Sequence, residues 1–296
     1  MKPSFAIRTN LLSARNIGIG IIFVLICAAV ITWSMLRPRQ ESKHCCYWLL
    51  ARDMNDVDVR SLVSVGTTDV FLHEHVFALH RQKNVEEWIV QADAAGLKVH
   101  IWMQTFYNGK WSNPVKDDAP DSSLFDEIIA RAQSYARLRG VAGIHLDHVR
   151  YPGNAYKTRW GADAISDFVQ LAVTRLHQTS PRLIVSMAVM PEPSGNLHYY
   201  GLDYGVLSRY LDVVVAMTYK QNYNQKTSWV KKVTTWFVQN SKGAKVWAGL
   251  QGYKADEDAS KLPISEITAD VEAALEAGAD GVVIFRWGVT NFVKLP

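Results

Sequence analysis

Two carboxylates stand at the ends of short apolar runs. Asp147 closes GIHLD within VAGIHLDHVRYPG, and Glu192 follows LIVSMAVM within VMPEPSG, where a proline on either side stiffens the chain. If the two runs are neighbouring parallel strands, their ends share a rim. Two carboxyl groups about 5 to 10 Å apart can then divide the cleavage of a glycosidic bond between them. One protonates the leaving oxygen, and the other attacks or stabilises the positively charged ring carbon. Asp147 takes the nucleophile or charge-stabilising role and Glu192 the acid/base role. Glu74 is held in reserve, while Asp53 reads as a helix cap ahead of MNDVDVRSL. Plainer readings stay open beside these, with Asp147 paired to Arg150 and Glu192 as a solvated loop carboxylate.

Binding groups are expected at the other strand ends, because the chemistry of a parallel barrel gathers where its strands finish. Arg150, Tyr219, Gln251 and Arg286 are placed to hold sugar hydroxyls or the carboxylates, together with Glu74, Gln104, His100 and His145. His145 and Asp147 fall on one side of their strand by its two-residue period. Trp102, Tyr107, Tyr151 and Trp287 offer flat rings whose apolar faces suit the CH-rich faces of sugars, and Trp111, Tyr199, Tyr200, Tyr223 and Tyr253 lie nearby in the chain. A second reading takes His73-Glu74-His75 as metal ligands for a metal-dependent hydrolase, with His100, His145 and Asp147 within reach. The ligand spacing of known barrel metallohydrolases is missing, and no zinc spacing or dinucleotide fingerprint occurs, so neither metal nor cofactor is expected. A third reading is a barrel that binds glycans without cutting them.

Eight elements must carry these residues. The candidate strands are Tyr47–Ala51, Asp69–His73, Lys98–Gln104, Gly143–Asp147, Leu183–Met190, Asp212–Thr218, Lys245–Leu250 and Gly281–Arg286, short and rich in β-branched residues as strands buried on both faces should be. Amphipathic stretches alternate with them. Asn84 with Glu87 reads as a capping box before a helix ending at Gly96, Asp121 opens a helix stopping at Gly140, and Pro263 precedes one stopping at Gly278. Such alternation implies right-handed crossovers and a parallel sheet, most simply an α/β fold closed into a (β/α)8 TIM barrel. An open doubly wound sheet is the alternative, but no GxGxxG follows the first strand. So few residues follow Arg286 that the last helix must be short or missing, leaving the first and last strands to be covered by the N-terminal segment or a partner.

Four strings, GIHLDHVRYP, KVHIWMQ, VVVAMTYKQNY and GADGVVIFRWG, resemble the glycosyl-hydrolase-like 10 family and related barrels of archaeal envelope proteins. The resemblance spans residues 46 to 290. It implies a barrel acting on an envelope or extracellular glycan, with Asp147 in the active site.

Charge and hydropathy set the context. The formal net charge of +4 comes from residues 1 to 43, where Lys2, Arg8, Arg15, Arg37, Arg39 and Lys43 face Glu41 alone. The remainder is close to neutral and lacks the basic footprint of a nucleic-acid binder. Residues 17–36 are free of charge and long enough to cross a bilayer, with no cleavage site after them. The expected organisation is a basic segment over 1–16, a single-pass signal anchor over 17–36, a linker over 37–44 and the barrel over 45–296. A polysaccharide partner places the barrel outside the cell, and the sequence leaves its oligomeric state open.

Overall fold

The computed structural model of the chain describes residues 43–294. The basic segment, the predicted span over 17–36 and most of the linker lie outside the described residues. No described helix is long and apolar enough to cross a membrane.

Among the described residues, eight parallel strands close into a barrel in chain order: β1 His44–Leu49, β2 Asp69–His73, β3 Lys98–Gln104, β4 Val141–Asp147, β5 Ile184–Val189, β6 Val213–Met217, β7 Lys245–Gln251 and β8 Gly281–Phe285. Closure is made where β8 meets β1, with His44 opposite Gly281 and Tyr47 opposite Ile284. Strand β1 therefore starts earlier than its apolar run suggests and takes in His44, the last residue assigned to the linker. The helices are α1 Val59–Ser64, α2 Val76–Leu79, α3 Gln82–Ala94, α4 Ser122–Ala136, α5 Gly161–Thr179, α6 Tyr204–Leu207, α7 Thr227–Asn240 and α8 Ile264–Glu276. The closed ring excludes the open doubly wound sheet.

Strand periodicity divides the core in two. Cys46, Trp48, Phe71, Trp102, Val213, Val215, Trp247 and Val283 point into the barrel and pack together. The alternate residues face the helices, where α5 presents Ala164, Ile165, Phe168, Val169, Ala172, Val173 and Leu176 at three- and four-residue spacing. The inner core also holds polar groups. Asp69 is fully buried and accepts from His44 Nδ1 at 2.7 Å and His100 Nε2 at 3.0 Å. Gly143 makes room for this cluster, since a Cβ there would collide with the His100 ring.

Local signals were partly misleading. Asp121 does cap α4, accepting from the Leu124 N–H at 3.1 Å. The Asn84–Glu87 box does not form, because α3 begins at Gln82 behind Arg81 and carries Asn84 inside its first turn. Asp53 sits within a 3-10 turn over Ala51–Asp56, and the cap of α1 is Asp58, which accepts from Arg60 N–H at 3.0 Å. No helix follows β8 among the described residues. The outer side of β1 is covered by the chain's own tail: the Val293 N–H donates to Tyr47 Oη at 3.1 Å, and the Phe292 ring meets Tyr47 edge-on. The cover expected from the N-terminal segment or a partner is thus supplied at Tyr47 by the C-terminal residues.

Candidate active site

The C-terminal ends of the strands form a mouth, and Asp147 stands in it as the last residue of β4. Both of its oxygens are held: Trp102 Nε1 donates to Oδ2 at 2.9 Å, and the His148 N–H donates to Oδ1 at 2.7 Å. Trp102 comes from β3, whose Gln104 pairs with Asp147, so strand register aims the indole at the carboxylate. His148 reaches it from a left-handed conformation, φ 57°, an unfavourable backbone state for a side-chain-bearing residue. The side chain of Asp147 is 13% exposed.

Imidazole rings crowd this carboxylate. His73 lies edge-on to Trp102 with ring centroids 4.6 Å apart. Burial, then the neighbouring His75, lowers its pKa to about 4, with Asp147 pulling the other way. Burial also lowers that of His148, whose ring packs against Tyr107 and Trp111. The Tyr219 hydroxyl is pushed well up by burial and then by the charge of Asp147.

Glu192 extends from the loop after β5, where Tyr223 donates to its Oε1 at 2.8 Å while its buried Oε2 has no hydrogen-bond partner. The charge of Arg150 lies near both acids. Burial lowers its pKa, and Asp147, Tyr200, Tyr223 and Glu192 act in the opposite sense, so one guanidinium feels both carboxylates. Its Cζ lies 4.8 Å from the Trp111 ring and 5.4 Å from the Tyr200 ring, a cation held between two aromatic faces.

The structure therefore gathers Asp147, Trp102, Tyr107, Arg150, Tyr219 and Glu192 around the mouth. Other candidates lie elsewhere. Glu74 is one residue beyond β2 and turns away from the pore. It accepts from the Gln104 N–H at 2.8 Å and pairs with Arg131 Nε at 3.4 Å, with burial raising its pKa and Arg131 opposing that rise. Gln104 is half-buried beside it, its carbonyl accepting from Arg131 Nη2 at 2.7 Å. His100 and His145 have the inward parity of the mouth residues but are fully buried below them, His100 on Asp69 and His145 on Ser186 Oγ at 2.9 Å. Neither touches the mouth, which corrects their assignment as binding groups.

Tyr151 is buried in the outer core and Trp287 packs against that core. Gln251 is 2% exposed, its amide spent on the backbone and side chain of Asn222. Arg286 follows β8, and its charge acts on Tyr253. The metal reading loses its ligand set: β2 ends at His73, the His73 and His75 rings are 6.3 Å apart, and no group of three or more His, Cys, Asp or Glu among the described residues is arranged to hold an ion.

His148 and Asp256 carry no sequence signal of their own, and Tyr223 reads there only as a nearby ring. His148 stands next to Asp147 in the string already noted. Tyr223 and Asp256 sit in irregular segments. Asp256 lies in a hairpin of Tyr253–Ala255 with Asp258–Lys261, accepts from Tyr253 Oη at 2.8 Å and adds a third carboxylate near Tyr219.

The sequence matches no family model, and no curated protein matches it. Solved structures with the same fold include a class V chitinase from Pseudomonas fluorescens, with TM-score 0.61 and 16% identity over 84% of this chain and 96% of that one. The endo-1,4-β-D-mannanase of Thermotoga petrophila gives TM-score 0.61 and 11% identity over 83% and 88%. The group IV chitinase of Ostrinia furnacalis gives 0.60 and 12% over 83% and 93%. At these identities the likeness establishes the closed eight-stranded barrel as a fold this chain shares with polysaccharide-cleaving enzymes.

Proposed function

We propose that the barrel hydrolyses glycosidic bonds of an envelope or extracellular polysaccharide, with Asp147 as nucleophile or charge stabiliser and Glu192 as acid/base. The observation that carries this reading is Asp147, held by Trp102 and His148 in an aromatic-lined mouth, with Glu192 on the loop after the neighbouring strand. The bonds from Trp102 and His148 fix the direction of Asp147 before substrate arrives, so little reorganisation is left for the transition state. The Tyr223 hydroxyl orients Glu192 through Oε1, as a group that must meet a leaving oxygen in one direction requires. The strings that resemble the glycosyl-hydrolase-like 10 family and the shared fold with chitinases and a mannanase support the same class, and make chitin and mannan the polymers to test first. Residues 17–36 are proposed to anchor the chain, with the barrel on the outer side of the membrane.

The test is release of reducing ends by the full-length chain from glycol chitin, glucomannan and envelope polysaccharide. Asp147→Asn and Glu192→Gln are each expected to lower turnover by at least about 100-fold while leaving the thermal melt in place. Two variants of undiminished activity would remove the assignment. Polymer retention by the wild type with no release of ends would assign the barrel to glycan binding instead.

A further inference from the structure

Beyond the mouth, a second aromatic group stands on the rim between β4 and α6. The rings of Tyr156 and His198 stack at 4.8 Å and 4°, and Tyr199 meets both edge-on. Tyr156 is 54% and Tyr199 48% exposed, as is their neighbour Leu197 at 54%. Together they account for half of the large apolar side chains that are exposed among the described residues. Exposed aromatics of this number in one place mark a contact surface rather than loose packing.

The scaffold beneath them is rigid. Asn196 is 2% exposed and donates from Nδ2 to the Met190 carbonyl at 3.0 Å, while the Tyr151 N–H donates to the Tyr200 carbonyl at 3.1 Å. Gly201, at φ +71°, crosses so close to Gly161 that a Cβ would come 2.7 Å from the Gly161 carbonyl oxygen. The loop carrying His198 and Tyr199 is thereby pinned to the segment carrying Tyr156.

The rings also lead back to the mouth. Tyr199 lies 6.4 Å from Tyr200, and Tyr200 forms one face of the Arg150 slot at the mouth. We propose that Tyr156, His198 and Tyr199 form an outlying sugar-binding platform, holding distant units of the same linear polysaccharide whose scissile bond lies at Asp147. The identity of the occupant rests on the function proposed above. Flat rings with polar edges fit the CH-rich faces and hydroxyls of a glycan, and their continuity with the mouth through Tyr200 sets them on the path of a polymer bound there.

The platform is tested by binding, with cleavage measured apart from it. Full-length Asp147→Asn protein, kept in a polyoxyethylene detergent free of sugar, is run through gels containing glycol chitin or glucomannan. Adding Tyr156→Ala or Tyr199→Ala should weaken retention about 2- to 10-fold each, the equivalent of one lost ring contact, and Tyr156→Phe should restore it. Binding of the matching disaccharides, held within the mouth, should not change. Retention unaltered by either alanine, or a parent retained by neither polymer, overturns the platform. So does self-association of the parent that Tyr156→Ala abolishes, since the patch would then belong to a second copy. Reducing-end release by the wild type is read separately: platform-dependent retention without cleavage leaves the platform standing and removes the hydrolase, and cleavage with ring-independent retention does the reverse.

Discussion

At the scale of single residues, the site depends on how Asp147 is held. A buried or half-buried carboxylate keeps one direction only if its oxygens are bonded, and Asp147 draws one donor from the neighbouring strand and one from its own successor. The indole bond is the more easily tested, because Trp102→Phe removes the N–H and retains most of the ring that fills the mouth. A hydrogen bond to a charged group contributes about 1.5 to 3 kcal/mol, so turnover should fall about 10- to 100-fold. KM should move little if the bond positions the acid and does not touch sugar. Equal loss in KM with turnover unchanged would recast Trp102 as a binding ring. His148 acts differently, through its backbone, and its left-handed conformation shows that the chain bears a local cost to bring that N–H to Asp147.

At the scale of elements, what could be read from the chain follows from burial. Strands covered on both faces must be apolar throughout, so runs such as DVFLH and KVHIWMQ coincide with β2 and β3 at both ends. Which way a residue points was less legible. Glu74 lies one position past His73 and therefore leaves the pore, while His100 and His145 point inward but sit two residues, about 7 Å, below Trp102 and Asp147. The roles of Tyr223 and Asp256 were illegible because no local pattern gives their partners: Tyr223 bonds Glu192 and Asp256 bonds Asn222, each far along the chain, with Tyr253 joining Asp256 inside its own hairpin. The elements are also coupled. Phe168 of α5 packs on Phe125 of α4 and on Phe106, which immediately precedes Tyr107 at the mouth. Phe168→Ala should cost about 3 to 5 kcal/mol by urea denaturation and loosen the Tyr107–Trp111–His148 ring group, with a weaker grip on polymer. Unchanged stability would mean that α5 is not the support of that loop.

For the whole molecule, a barrel that buries imidazoles carries a pH dependence in its stability. His145 is held well below the ordinary histidine range, first by burial and then by His100, and burial first of all lowers His73 to about 4 and His148 as well. An unfolded chain takes up these protons near pH 6.5, before the folded one does, so acidification favours unfolding from about 6.5 downward, for His73 as far as about 4. Glu74 and Asp270, both raised mainly by burial, work the other way, gaining protons in the fold before they would in the unfolded chain. Three histidines withhold protons against two carboxylates that take them up early, and the unfolded histidines titrate near 6.5 inside this range, so the histidines prevail. Asp69 adds a lower step. Burial raises its pKa, but His100 and His44 outweigh that and hold it well below the ordinary carboxylate range, so its contribution is present above about pH 4 and lost as pH falls through the folded value. Urea midpoints taken from pH 7.5 to 5 should fall steadily. His145→Gln should flatten the slope by up to about 1.4 kcal/mol per pH unit, one withheld proton, since glutamine keeps a polar partner for Ser186 without titrating. A wild-type midpoint constant across that interval would show that the interior histidines are already protonated in the fold, and the packing of His145 on Phe71 would then have to be that of a cation on a ring.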